Sequence, residues 1–184
     1  MDEVIFKFLE EICDKYNYYI AGLNGTKKAK PCDFKRWDLA DVIGDNYWLF
    51  QDDASFFEDL ELFDGAVDTL KRLQDDGFTI YIATNAMGNP KIATGKLISI
   101  KENLPFIDVN NVFITGKKWE IKGDLLFDDC PEYLNNFEGF TVCNDREYNK
   151  DVQCSYRIYD NNWDEFYELC HKIRNNESLK MGVR

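Results

Sequence analysis

The stretch Gly123-Asp124-Leu125-Leu126-Phe127-Asp128-Asp129 decides how this chain reads. Three apolar residues in a row mark a buried parallel strand. Two adjacent acids at its carboxyl end are hard to explain by packing, because neighbouring like charges repel and resist desolvation. A hard divalent cation such as Mg²⁺ resolves that conflict, since it takes oxygen ligands and leaves room for a substrate phosphate. Taken alone, the same residues also describe an exposed strand-to-loop corner with two solvated acids. The rest of the chain separates the two readings.

Working outward, strand and helix patterns alternate. Ala66 to Asp76 sets Val67, Leu70 and Leu73 on one helical face, with Gly77 placed for the C-terminal cap. Phe78 to Ala83 reads as a strand, and Pro90 to Asn103 as a helix with proline in its first turn. Val112-Phe113-Ile114, Phe140-Thr141-Val142 and Arg157-Ile158-Tyr159 are further strands, and Trp163 to Ile173 is a closing helix. This alternation predicts an α/β fold with a parallel sheet covered by helices on both faces. Ligands of such sheets bind beyond the carboxyl ends of the strands.

Residues 3 to 17 carry Val4, Phe8, Ile12 and Tyr16 at helical spacing, which predicts an amphipathic helix. From Ala21 to Asp53 that pattern is broken by Gly22, Gly25, Pro31 and Gly44. The same segment holds the basic cluster Lys27, Lys28, Lys30, Lys35 and Arg36 and the aromatics Trp37, Tyr47, Trp48 and Phe50. It reads as a small helical insertion, by default a structural cap, though basic and aromatic side chains together also suit a nucleotide base. The expected organisation is one domain, with a cap over residues 18–55 and a core from 1–17 and 56–184.

With 184 residues, 45% of them hydrophobic, the chain can bury a sizeable core. A formal charge of −12 argues against a nucleic-acid binder, since phosphates are repelled over most of the surface. A small phosphorylated ligand is compatible, because a few lysines reverse the field inside one cleft. Six scattered cysteines without a CxxC pair, and no signal-peptide pattern, are expected of reduced thiols in a cytoplasmic protein. The single histidine, His171, falls on the closing helix and is read as a helix-face residue, which disfavours zinc. No apolar run is long enough to cross a membrane. Oligomeric state is left open; a homo-oligomer is compatible.

Each predicted strand end carries chemistry. Strand 78–83 ends in Thr84-Asn85, strand 112–114 leads into Thr115-Gly116-Lys117-Lys118, and strand 125–127 ends in Asp128-Asp129. Thr-Asn is also a common turn or capping pair, and two loop lysines are usually a solvated surface. A hydroxyl, an ammonium and a carboxylate pair at successive strand ends make coincidence the weaker explanation.

That order resembles the haloacid dehalogenase superfamily of phosphohydrolases, and more closely its 5′(3′)-deoxyribonucleotidase family. Ile80-Tyr81-Ile82-Ala83-Thr84 is similar to the family's second motif, Lys118 to its third, and Gly123 to Asp129 to its fourth. Phe56 to Leu62 with Gly65-Ala66 resembles the segment re-entering the core from the cap, and Asp160-Asn161-Asn162-Trp163 a family signature before the last helix. Met1 to Phe8 is similar to the second half of the first motif. The resemblance implies a Rossmann-like sheet with a cap and a Mg²⁺-dependent phosphatase of deoxyribonucleoside monophosphates working through an aspartyl-phosphate. It implies Asp2 as general acid and base and as a metal ligand through its carbonyl. Asp128 and Asp129 fall at or beside the metal, and Thr84 and Lys118 on the phosphate. Asn85, where the family usually has serine, and Lys96 are implied as further phosphate contacts, and Phe8 and Trp37 as neighbours of the base. The family's attacking aspartate and its strand would precede Met1. The chain as given is therefore expected to lack its nucleophile and about 10 kcal/mol of burial, and to be inactive unless extended upstream. Two other readings stand beside this one: a non-catalytic nucleotide-binding or protein-interaction module of the same ancestry, and an acidic interaction protein.

Overall fold

The five strands among the described residues pair only in parallel, and they form two separate ladders. The computed structural model describes residues 1–22, 25–51 and 54–175. Strand β1 (Ile82–Thr84) pairs with β2 (Val112–Ile114), Ala83 standing opposite Phe113. Strands β3 (Leu125–Asp128), β4 (Phe140–Asn144) and β5 (Tyr156–Ile158) form the second ladder in that order, Phe127 opposite Val142 and Cys143 opposite Arg157. Helices flank both ladders, so the molecule has the α/β architecture of a haloacid dehalogenase-like, Rossmann-type fold.

The helices are α1 (Phe8–Tyr16), α2 (Ala40–Ile43), α3 (Trp48–Gln51), α4 (Ser55–Glu58), α5 (Ala66–Asp75), α6 (Pro90–Asn103), α7 (Pro131–Asn136) and α8 (Trp163–Arg174). Helix α5 packs against α8, and Phe127 of β3 stacks on Phe166 with ring centroids 4.4 Å apart, which lays α8 over the second ladder. Gly77 ends the α5 segment at φ 87°, a left-handed turn that only glycine adopts without strain. Helices α3 and α4 pack on α6, and the rings of Phe8, Phe50, Phe56 and Phe57 meet there at 4.9–6.4 Å. Gly95 makes that packing close: a β-carbon at this position would run into the Ala54 carbonyl oxygen.

Three sequence expectations change. The first helix begins at Phe8, not at residue 3. Residues 1–6 form a tight turn in which the Met1 carbonyl accepts from the amides of Ile5 and Phe6, and Glu3 takes φ 54°. The Glu3 carboxylate accepts from the Leu9 amide at 2.7 Å, so the residue that fits the helical period acts as a cap instead. Strand β1 spans only 82–84, because its partner β2 is three residues long and its other side pairs with no strand among the described residues. Leu125, Leu126 and Phe127 are half-buried, not buried, because the β1-facing edge of β3 is likewise unpaired.

Candidate active site

The carboxyl ends of β1 and β3 carry the charged residues that fold inward. At the end of β1, Thr84 is fully buried, and its hydroxyl accepts from the Lys96 ammonium at 3.1 Å. Lys96, on the inner face of α6 and 2% exposed, also donates to the Asn85 carbonyl at 2.7 Å and to Asp2 Oδ2 at 2.5 Å. One lysine thereby joins the turn at residue 2 to the end of β1. A buried ammonium needs such a set of oxygen partners to offset its desolvation. The Asn85 side chain is committed locally: its amide donates to the Tyr133 hydroxyl at 3.1 Å, and its oxygen accepts from the Met87 amide at 2.7 Å.

At the end of β3, Lys118 and Asp128 form a buried ion pair at 2.7 Å. The other oxygen of Asp128 accepts from the amides of Asp129 and Cys130 at 3.0 and 2.9 Å, so both of its oxygens are engaged. Burial works against both charges of this pair, but their mutual attraction outweighs it. Lys118 is held above its ordinary pKa and Asp128 below. The Lys118 ammonium also lies 4.4 Å from the centre of the Tyr133 ring.

Asp129 is different. It is 3% exposed, and burial together with the Asp128 charge pushes its carboxyl up to about 6. Its Oδ2 accepts from the Tyr148 hydroxyl at 2.6 Å, and the Tyr148 ring packs edge-on against Trp37 at 5.1 Å. Trp37 therefore reaches the acidic pair through one tyrosine. The two strand ends share a charge environment. The buried Met1 ammonium, lowered to about 6 by desolvation and by Lys118, feels Asp128, Asp2 and Asp129 as well. For Asp2, burial raises the pKa, but Lys96, the Met1 ammonium and Lys118 outweigh it and hold the carboxyl below its ordinary value.

A second cluster supports the first. Glu3 and Arg146 form a buried pair at 2.7 Å, and Arg146 and Asn144 both donate to the Asn161 side chain. Asn144 and Arg146 also donate to the Glu3 carbonyl, which ties the end of β4 to the turn holding Asp2. Asp160 and Asn161 sit at φ 54° and 51°, and Asn162 caps α8 through the Glu165 amide. This gives the 160–163 signature a structural task.

The structure thus brings Asp2, Thr84, Asn85 and Lys96 together at one strand end, and Lys118, Asp128 and Asp129 at the other. Trp37 stands at the Tyr148 edge. Phe8 lies in the aromatic cluster, next to Phe57, whose ring the Lys96 ammonium faces at 4.7 Å. Tyr133, Tyr148 and the Glu3–Arg146 pair were not singled out in the sequence; nothing local marks a contact that spans 143 positions.

Among the described residues no three His, Cys, Asp or Glu side chains gather as a ready-made metal cluster. Magnesium does not require one, since it keeps several waters and is held through one or two carboxylates plus substrate phosphate. Two observations fit it here. Asp2 Oδ1 is buried with no hydrogen-bond partner, and Asp129 carries a raised pKa that a nearby cation would relieve.

Residues 1–176 match the family described as "5' nucleotidase, deoxy (Pyrimidine), cytosolic type C protein". The chain is 28% identical over 166 residues to the 5'(3')-deoxyribonucleotidase of Bacillus subtilis (strain 168), covering 90% of this chain and 92% of that one. It is 30% identical over 151 residues to the 5'(3')-deoxyribonucleotidase of Clostridium acetobutylicum, covering 80% and 81%. A putative 5'(3')-deoxyribonucleotidase of Staphylococcus aureus (strain Mu50) is likewise 30% identical over 151 residues, covering 77% of each chain.

Proposed function

The chain belongs to the cytosolic type C deoxy-5′-nucleotidase family, a family of phosphoric monoester hydrolases, and on that premise we propose that its cleft holds a deoxyribonucleoside monophosphate with Mg²⁺. The observation that carries this reading is the contact between the two strand ends: Lys118, paired with Asp128, lies 4.4 Å from the centre of the Tyr133 ring, and the Tyr133 hydroxyl accepts from Asn85 next to Thr84. Asp129 and Asp2 would hold the metal, with Asp128 beside them as the partner of Lys118. Bound there, Mg²⁺ would supply charge neutralisation and orientation for the phosphate. Lys118, Thr84 and Lys96 would place positive charge and a hydroxyl against the phosphate oxygens. The Asn85 side chain would line this pocket and hold its turn. Residues 18–55 would act as a cap, with Trp37 and Phe8 bordering the base.

Asp2 would protonate the leaving nucleoside oxygen and later take a proton from water. Its ion pair with Lys96 keeps it charged until substrate phosphate competes for that ammonium. An aspartyl-phosphate route also needs an attacking carboxylate. Asp128 is saturated by Lys118 and two amides, and Asp129 is engaged by Tyr148, so the described residues leave that role unfilled. The 184-residue chain is therefore expected to bind nucleotide and hydrolyse it slowly, which favours a binding module as the second reading.

The test is phosphate release from dUMP or dTMP with Mg²⁺, run alongside thermal denaturation. Nucleotide-dependent stabilisation with little turnover is the expected result. Fast Mg²⁺-dependent turnover by this chain would contradict the reading of an unfilled nucleophile role, and absence of both effects would remove the nucleotide reading.

A further inference from the structure

Two of the six cysteines meet where the loop before β5 folds back over β4, and we propose that Cys143 and Cys154 are a redox-active dithiol, a modification site at which a hydroperoxide converts the two thiols into an intramolecular disulfide. The proposal rests on the packing of this loop and does not depend on the nucleotide reading.

The ladder sets the position of the first thiol. Cys143 on β4 stands opposite Arg157 on β5, so the two side chains share one face of the sheet. The loop between the strands crosses that face. Arg157 donates to the carbonyls of Asn149 and Val152 at 3.0 and 2.8 Å and to Asp145 Oδ1 at 3.0 Å. Two residues earlier, Thr141 and Ser155 exchange amide and hydroxyl hydrogen bonds at 3.0 and 3.2 Å. Cys154 lies between these two fastenings, and its sulfur shares a hydrogen bond with the Cys143 thiol. The Cys143 proton has a second acceptor in the Asn144 carbonyl at 3.7 Å.

The two sulfurs differ in access and in character. Cys143 is fully buried, whereas Cys154 is half-buried between the exposed residues Asp151 and Gln153 and Ser155. The hydrogen bond from Cys143, aided by the Arg157 guanidinium, lowers the Cys154 thiol to about 6 against the effect of burial. The same bond, together with burial, holds Cys143 above its ordinary value. Burial pushes Cys13, Cys130 and Cys170 up to about 12, which leaves them poor nucleophiles. Cys154 is therefore the attacking thiolate and Cys143 the resolving thiol.

The chemistry balances with a peroxide as oxidant. The Cys154 thiolate attacks one peroxide oxygen, the O–O bond breaks, and the departing hydroxide takes a proton to become water, leaving a sulfenic acid. The Cys143 sulfur then attacks the Cys154 sulfur, the S–O bond breaks, and the hydroxyl leaves as water with the Cys143 proton. Two thiols are oxidised by two electrons, and hydrogen peroxide is reduced to two waters. The ring so closed contains Tyr148 and Asn149, both of which donate to Asp129.

The test treats the folded, reduced 184-residue protein with a small excess of hydrogen peroxide and maps its tryptic peptides without reduction. Trypsin cuts after Arg146 and Lys150, so the expected bond joins peptides 123–146 and 151–157, with fragment ions assigning it to Cys143 and not to Cys130. Thiols counted after denaturation should fall from six to four, and dithiothreitol should restore them. The exposed Cys32 serves as internal reference and should oxidise at least tenfold more slowly than Cys154. In Cys143→Ser the Cys154 sulfenic acid should persist and be trapped by dimedone. The mapping on the unaltered protein decides the matter if that variant fails to fold. The proposal is overturned by a bond between two chains or to another cysteine, by Cys32 reacting as fast as Cys154, or by thiols that oxidise only after unfolding.

Discussion

Lys118 and Asp128 are a buried pair in which each charge is tolerable only because of the other. Removing one partner leaves an uncompensated charge in the core, at about 3–5 kcal/mol. Lys118→Met is therefore expected to lower the unfolding free energy by that amount in denaturant titrations, while Lys118→Met with Asp128→Leu recovers much of it. A single variant as stable as the parent would show that the pair is solvated. Asp129 and Glu3 make the opposite case. Burial and Asp128 push Asp129 to about 6, and burial pushes Glu3 to about 7 although Arg146 stands 2.7 Å away. Both folded-state values exceed the ordinary ones, so above pH 4.5 the folded protein keeps protons that the unfolded chain has lost. Stability should then fall between pH 4.5 and 6, by on the order of 2 kcal/mol without metal. The window ends at 6 because the Met1 ammonium, lowered to about 6, acts with the opposite sign above it. Asp129→Asn should flatten this slope, and a stability that rises with pH across the window would contradict the assignment.

At the scale of elements, the closest joint is where the Ala54 carbonyl crosses α6 at Gly95. A methyl group there meets backbone that cannot rotate away, at about 1–3 kcal/mol, against a helix-propensity gain of about 1 kcal/mol. Gly95→Ala should lower the melting temperature, and a rise would mean that α4 sits further from α6. Helices α5, α6 and α8 were legible because apolar spacing, Gly77 and Pro90 mark their faces and ends. Helix α1 was misread at its start because Val4 fits the helical period, while the side chain of Glu3, through a contact six residues away, sets the true boundary. Thr84, Lys118 and Asp128-Asp129 were legible because strand ends are where parallel sheets put their chemistry. Tyr148 and Tyr133 were not, since a hydroxyl that reaches Asp129 or Asn85 from a distant loop has no local pattern.

For the molecule as a whole, a parallel sheet in two ladders places its buried charged residues at the carboxyl ends of the strands. The apolar run before Asp128-Asp129 reads as a buried parallel strand, and the ladder bears out the parallel direction while leaving the run half-buried, with one edge unpaired among the described residues. Charge distribution also belongs to this scale. On the proposed function, a chain of net charge −12 would hold a phosphate where Lys96 and Lys118 are brought inside. The most direct measurement is calorimetric titration of dTMP into the protein with and without Mg²⁺, repeated on Asp129→Asn after its fold is verified by circular dichroism. The account predicts one saturable site that requires Mg²⁺ and weakens at least tenfold in the variant. Equal affinity in both proteins, or no binding to the parent, would contradict it.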